Sequence, residues 1–388
     1  MNRNLILLAL CQGLFLTNNI TFIAINGLVG FSLAPFSWMA TLPVMGYVIG
    51  GAVSTIPVSR IQERFGRKPS FLIGIGVAIV SSLLCLLAAT TKNFPLLVTA
   101  TFIAGFYQAN GHLYRFAAAE LAGSGGKEKA VSWVLAGGIL GAVAGPNIAA
   151  ATKDAFEVPF AGAYLSLTAV GLVAVAVMSF IRFPALPKTQ PTLDEAARPL
   201  SVIIRQPLFI LATLGAALGY GVMNLLMAAT PLAMQTCGFP FKDAALVLEW
   251  HVIGMFAPGF FTGHLIQRYG ALTIMTVGVL LNILCIGIAL TGVELHQFLI
   301  ALFVLGVGWN FLFTASTTLS LKTYSPSEKD RAQAAINLAV FSTMVLTSFG
   351  SGALVTTQGW AYLNVGSLIP MGLMGIALLW AALRLRSH

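Results

Sequence analysis

Charge is what this chain has least of. Only 9% of its 388 residues are Asp, Glu, Lys or Arg, against about a quarter in soluble domains, so water is not the main solvent of the folded chain. The four cysteines, Cys11, Cys85, Cys237 and Cys285, are scattered and show no CxxC spacing. That excludes a disulfide framework or a zinc set and leaves them as packing residues. Neither an HExxH pair nor a GxSxG elbow is present, so the chemistry of zinc hydrolases and α/β-hydrolases has no support. Gly74-Ile75-Gly76 and Gly306-Val307-Gly308 lie inside apolar stretches without a strand, a Lys-Ser/Thr or an acidic partner, which removes a nucleotide reading. No metal and no cofactor are expected.

What the chain does have is apolar length. Hydrophobic residues make up 57% of it, gathered into twelve runs: roughly 4–30, 37–59, 70–90, 95–122, 131–152, 159–182, 207–235, 241–264, 271–291, 296–320, 332–355 and 359–384. Each reaches the ~20 residues that a membrane-spanning helix needs. Barrel strands are ~10-residue segments of alternating polarity, so the expected fold class is an all-α polytopic membrane protein. Little chain is left for a soluble domain. Met1-Asn2-Arg3-Asn4 before an apolar run is like a signal peptide, but the run is too long and carries Gln12, Asn18 and Asn19, so it is read as an uncleaved first helix.

The net charge of +9 is distributed unevenly. With the N-terminus in the cytoplasm, eighteen of the twenty-one Lys and Arg residues fall in or beside cytoplasmic loops, and Lys92, Lys153 and Lys242 are the exceptions. This positive-inside pattern predicts a multi-pass protein of the cytoplasmic membrane with both termini cytoplasmic. Nucleic acid is excluded as a partner, because no basic face or recognition helix exists outside the apolar runs.

The stretch from Arg182 to Gln206, with four prolines and several charges, reads as a cytoplasmic linker, and its Leu200–Arg205 segment as able to lie on the membrane surface. The expected organisation is therefore a six-helix bundle over 1–182, a linker over 183–206 and a second six-helix bundle over 207–388. The halves match each other: Gly66 corresponds to Gly270 by a shift of 204 residues, which also lays the first, fourth and fifth runs over the seventh, tenth and eleventh.

Between the second and third runs stands Ser59-Arg60-Ile61-Gln62-Glu63-Arg64-Phe65-Gly66-Arg67-Lys68. It resembles the loop signature of the major facilitator superfamily, Gly-x-x-x-Asp-(Arg/Lys)-x-Gly-(Arg/Lys)-(Arg/Lys), with Ser59 in place of the first glycine. The resemblance covers nearly the whole chain and implies two pseudo-symmetric six-helix bundles with a solute site between them near the bilayer midplane. It further implies that Glu63, Arg64, Gly66 and Arg67 belong to a cytoplasmic gate. The alternative is a plain topogenic loop. Arg268 in the second basic loop and Arg115 near the cytoplasmic end of the fourth run are also assigned to the gate, with a membrane anchor or a substrate contact as the alternatives for Arg115. Gly137, Gly141 and Gly145, followed by Pro146, put three glycines on one helix face. They resemble the antiporter motif of drug:proton exporters in the same superfamily, and ordinary helix packing is the alternative.

Polar groups inside apolar runs are the candidate binding residues. Asn18 and Asn19 in the first run, Tyr107, Gln108 and His112 in the fourth, Asn224 in the seventh, and Trp309 and Asn310 in the tenth are read as solute-binding. Gln108, His112 and Arg115 share a face by helical spacing, and that face is read as lining the cavity. The amides can equally join helices to one another. Glu249 and His251 in the eighth run are titratable and are read as proton-coupling residues; alternatively Glu249 snorkels outward or pairs with Lys242. The function expected is secondary active transport of a small organic solute by alternating access, as proton-coupled export, with uptake as the alternative. A polytopic membrane enzyme or a solute sensor is the alternative of another class. The expected partners are a small-molecule solute, membrane lipid and protons, and the expected state is a monomer.

Overall fold

Every apolar run lies on a helix or a broken pair of helices in the computed structural model, which describes residues 3–122, 127–183, 198–325 and 328–385. The first six runs give α1 (Arg3–Leu33), α2 (Leu42–Phe65), α3 (Arg67–Thr90), α4 (Phe94–Gly111) with α5 (Tyr114–Leu121), α6 (Lys127–Thr152) and α7 (Ala161–Ser179). A one-turn helix, α8 (Leu200–Ile203), precedes the rest. These are α9 (Pro207–Thr236), α10 (Phe241–Phe256) with α11 (Gly259–Tyr269), α12 (Ala271–Leu290), α13 (Leu295–Ser320), α14 (Lys329–Thr357) and α15 (Trp360–Leu385). Helices satisfy all their backbone polar groups internally, which is the condition for entering hydrocarbon.

Among the described residues nine helices are long and apolar enough to cross a membrane, or ten if the bent pair α10–α11 is one span. Their outward faces carry large exposed apolar side chains, including Leu346 at 71% and Leu383 at 72%. That is the surface expected of a protein whose solvent is lipid. A groove of about 340 Å3 between α9 and α15, lined by residues such as Ile210, Leu214, Ile376 and Trp380, is apolar throughout. It offers a polar solute no partner and belongs to this lipid-facing surface.

Breaks and turns have local causes. Pro258 lacks an N–H, and the chain bends by 41° between α10 and α11. Gly66 joins α2 to α3 at φ 86°, and Gly270 joins α11 to α12 at φ 85°. Both sit in the left-handed region that glycine alone enters without strain. The two glycines that the repeat pairs thus share one backbone geometry.

The chain falls into two compact units. The first gathers α1–α7 with Ala228–Glu249 and Ser348–Thr357, and the second gathers the described residues of 198–227, 250–347 and 358–385. In the first unit α1 packs along α6, α2 along α4, and α3 against both α4 and α7. In the second, α12 packs against α13 and α15. The pairing of third span with fourth and sixth therefore recurs as ninth with tenth and twelfth.

Candidate functional site

The glycine face of α6 is where the first unit is tightest. A Cβ on Gly137 would stand 2.2 Å from the Ala9 carbonyl oxygen, one on Gly141 2.4 Å from that of Gly13, and one on Gly145 3.0 Å from that of Thr17. Thr21 also donates its hydroxyl to the Gly145 carbonyl at 2.9 Å. Backbone lies on backbone here, so these glycines set the distance of α1 from α6. Pro146 follows inside α6, and Asn147 donates its amide to Glu249 Oε2 at 2.6 Å and to the Val143 carbonyl at 2.8 Å. Glu249 is thus engaged with α6, not with Lys242.

Aromatic groups surround the first unit's candidate residues. Phe15 meets Tyr107 edge-on at 5.3 Å, His112 at 5.8 Å and Tyr114 at 6.1 Å. Gln108 is buried, and its Oε1 has no hydrogen-bond partner. Asn18 is buried in α1, and Asn19 donates to the Tyr47 hydroxyl at 2.8 Å. Gln108, His112 and Arg115, expected on one face, lie across two helices and the turn between them. Helix α4 ends at Gly111, whose added Cβ would enter the Phe15 ring at 2.3 Å, and the chain turns through 112–113 before α5. Arg115 therefore belongs to another helix, and both it and His112 are exposed.

A second aromatic group lies in the second unit. Trp309 stacks on Phe313 with centroids 5.2 Å apart and planes 9° from parallel, and meets Tyr220 edge-on at 5.4 Å and Phe256 at 6.3 Å. Its ring is buried, and the indole N–H has no partner. Asn310, beside it, is engaged at both ends of its amide. Its amide donates to the Met255 carbonyl at 2.7 Å, and its oxygen accepts from the Thr262 hydroxyl at 2.7 Å. It bridges α10 and α11 across their bend, which fits a structural amide better than a binding one. Asn224 likewise reaches the Met344 carbonyl at 3.2 Å and the Thr347 hydroxyl at 3.0 Å, joining α9 to α14. His251 is fully buried with Nδ1 2.6 Å from the Leu302 carbonyl. A carbonyl only accepts, so Nδ1 carries the hydrogen, and Nε2 is left as a buried acceptor with no partner.

At the end that holds the N-terminus, Arg67 forks onto Glu120 at 2.6 and 3.2 Å and also donates to Gln62. Lys68 donates to the Ser179 carbonyl at 2.6 Å, so the basic loop straps α3 to α5 and α7. Arg64 lies over the Phe65 ring, and Arg268 over that of Tyr269, each at 5.2 Å. The side chain of Glu63 lies outside the described residues.

Sequence reasoning missed a second ion pair. Glu328, almost fully buried, accepts from the Arg198 side chain at 2.7 and 2.8 Å, the Arg198 amide at 2.9 Å and the Ser325 amide at 2.9 Å. The Arg198 guanidinium, followed by those amides, holds its carboxyl well below the usual carboxylate range. Gln206 and Arg198 both donate to the Thr323 carbonyl, so the described end of the linker is tied to the loop before α14. The partners are 130 residues apart, and no motif announces them. Asn147, by contrast, carried a signal: it is a polar residue just after Gly145-Pro146 inside an apolar run. Among the described residues no group of His, Cys, Asp and Glu has the arrangement of a metal site.

The chain matches the family model of the Major Facilitator Superfamily over residues 5–290 and 213–388. It is 35% identical over 363 residues to the riboflavin transporter RfnT of Brucella anthropi, an alignment covering 93% of this chain and 91% of that protein. It is 24% identical to the uncharacterized MFS-type transporter YddS of Bacillus subtilis, over 88% of this chain and 82% of the other. Among solved structures it superposes on the POT family transporter PepTSo with a TM-score of 0.76 at 12% identity, covering 100% of this chain and 98% of the other. At that identity the likeness is one of fold.

Proposed function

The chain belongs to the major facilitator superfamily and is a multi-pass membrane transporter, not an enzyme, and from that premise we propose that the solute it carries is riboflavin or a flavin of similar shape. One observation carries this reading: the 35% identity to a riboflavin transporter runs through nearly the whole of both chains. The site residues support it. A flavin is a flat ring system with hydrogen-bonding atoms along one edge and a polar chain on the other side. Within the second unit, the Trp309 ring suits the first, and its N–H, which has no partner, is a donor for the second.

Carriage proceeds by alternating access between two bundles, with the basic loops and both termini in the cytoplasm, as the charge asymmetry favours. Glu249 is the proton-coupling group, and Asn147 donates to its carboxyl. His251, locked to the Leu302 carbonyl, keeps its ring orientation and supplies a buried acceptor. The glycine face of α6 is used in packing against α1, so it adds nothing to export over uptake, and the direction follows from the sign of the coupling.

The test is flux of riboflavin in proteoliposomes, followed by its fluorescence, with and without an imposed pH gradient. Saturable flux that the gradient accelerates in one orientation is expected, and that orientation gives the direction. Folded, reconstituted protein that moves no riboflavin under either condition would refute the solute.

A further inference from the structure

Thr41, fully buried at the start of α2, does something unusual to α14. Its hydroxyl donates to the Ser348 carbonyl at 2.6 Å and accepts from the Gly352 amide at 3.0 Å. Those two groups stand four residues apart, the spacing at which an α-helix pairs a carbonyl with an amide. The hydroxyl at the start of one helix therefore bonds both backbone groups of a rung in another, and that helix runs unbroken past them. Glycine is what admits it: a Cβ on Gly352 would stand 2.3 Å from Thr41 Oγ1 and 2.9 Å from the Thr41 backbone nitrogen. Close by, Trp38 meets Phe349 edge-on at 5.8 Å.

The position along α14 is informative too. Residues up to Thr347 belong to the second compact unit, and Ser348–Thr357 belong to the first. The helix changes allegiance at the residue whose carbonyl the hydroxyl takes.

We propose that the Thr41 hydroxyl is a detachable latch between the far segment of α14 and α2. Docked, it holds Ser348–Thr357 to α2 through its bonds to the Ser348 carbonyl and the Gly352 amide. Withdrawn, it leaves the Gly352 amide and the Ser348 carbonyl to the pairing of an ordinary α-helix, so that neither is left buried and unpaired. The two arrangements then differ by little more than one ordinary hydrogen bond, which is the condition for an element that switches during a transport cycle. The inference rests on the reading of the chain as an alternating-access carrier, in which this end of the protein must open.

The experiment uses the full chain in nanodiscs with the exposed Cys237 changed to Ser and a reporter at Val355→Cys, a position 5% exposed on the latched segment. The rate of maleimide labelling is measured for the parent, T41S and T41V. Valine keeps the shape of threonine without the hydroxyl, and serine keeps the hydroxyl without the methyl. T41V should label roughly fivefold faster, the shift that goes with one lost hydrogen bond, and T41S within about twofold of the parent. T41V labelling at the parent rate, or T41S labelling as fast as T41V, overturns the latch. Should T41V fail to fold, G352A serves instead: its methyl displaces Thr41, and unchanged labelling there also overturns the proposal. Riboflavin flux is recorded in parallel. If the parent carries none, the solute reading fails while the labelling result stands.

Discussion

Replacing the glycines of α6 one at a time by alanine separates the packing role of this face from a transport role. An ordinary contact for a Cβ begins at about 3.4 Å, so the methyl of Gly137→Ala, 2.2 Å from the Ala9 oxygen, and that of Gly141→Ala, 2.4 Å from the Gly13 oxygen, each demand that α1 retreat by about 1 Å. Both obstacles are backbone, which has no rotamer to yield. Overpacking of this kind costs about 1–3 kcal/mol per site, and the retreat also strains the bond from Thr21 to the Gly145 carbonyl. Gly145→Ala meets the Thr17 oxygen at 3.0 Å, where a few tenths of an ångström suffice. There the cost is offset by the ~1 kcal/mol that alanine gains over glycine inside a helix. Thermal denaturation of the purified protein, followed by size-exclusion chromatography, should rank Gly137→Ala and Gly141→Ala well below the parent, with Gly145→Ala close to it. Equal losses at all three positions would refute the argument from distance. A Gly145→Ala protein that melts normally yet loses gradient-driven flux would return the face to the antiporter role.

Three further outcomes follow from the charges. Glu249→Gln keeps shape and removes the carboxylate, so it should abolish the acceleration of flux by a pH gradient while leaving solute exchange measurable; full gradient-driven transport in this variant would dismiss Glu249 as the coupling group. Arg67→Ala removes the fork onto Glu120 and should slow turnover more than it weakens solute binding, which a comparison of flux with equilibrium binding tests; unchanged turnover leaves the loop a topogenic one. Glu328 has its carboxyl pKa lowered in the fold, so its stabilisation is complete above the ordinary carboxylate value of about 4.3 and fades only as pH falls from there towards the folded value. The gap in melting temperature between parent and Glu328→Gln should accordingly hold constant from pH 8 to 5 and narrow below; a gap that grows on acidification would contradict the assignment.

What was legible in the sequence is what lipid and the repeat dictate locally. Uniformly apolar runs have no other way to satisfy their backbone than as helices, and Gly66 and Gly270 announce the same turn because its φ admits little else. The glycines of α6 were legible as a face, since a spacing of four is a property of the helix itself. Their partner was not, because nothing in the spacing says which helix will use it. The break after Gly111 escaped notice because no proline marks the spot.

The polar residues divide along the same line. Asn224 and Asn310 looked alike in sequence, each an amide in an apolar run, and the bonds that they make come from elsewhere in the chain. Asn310 spends both ends of its amide on a bend whose cause is Pro258, whereas Gln108 and Trp309 keep a polar atom unspent in a buried place. A buried donor or acceptor without a partner costs about 1–3 kcal/mol, and a fold retains such a group where something else completes it. The candidates for solute contact are therefore better chosen by what their neighbours leave unpaired than by the polarity of the residue, and by that criterion Gln108 and Trp309 stand ahead of Asn224 and Asn310.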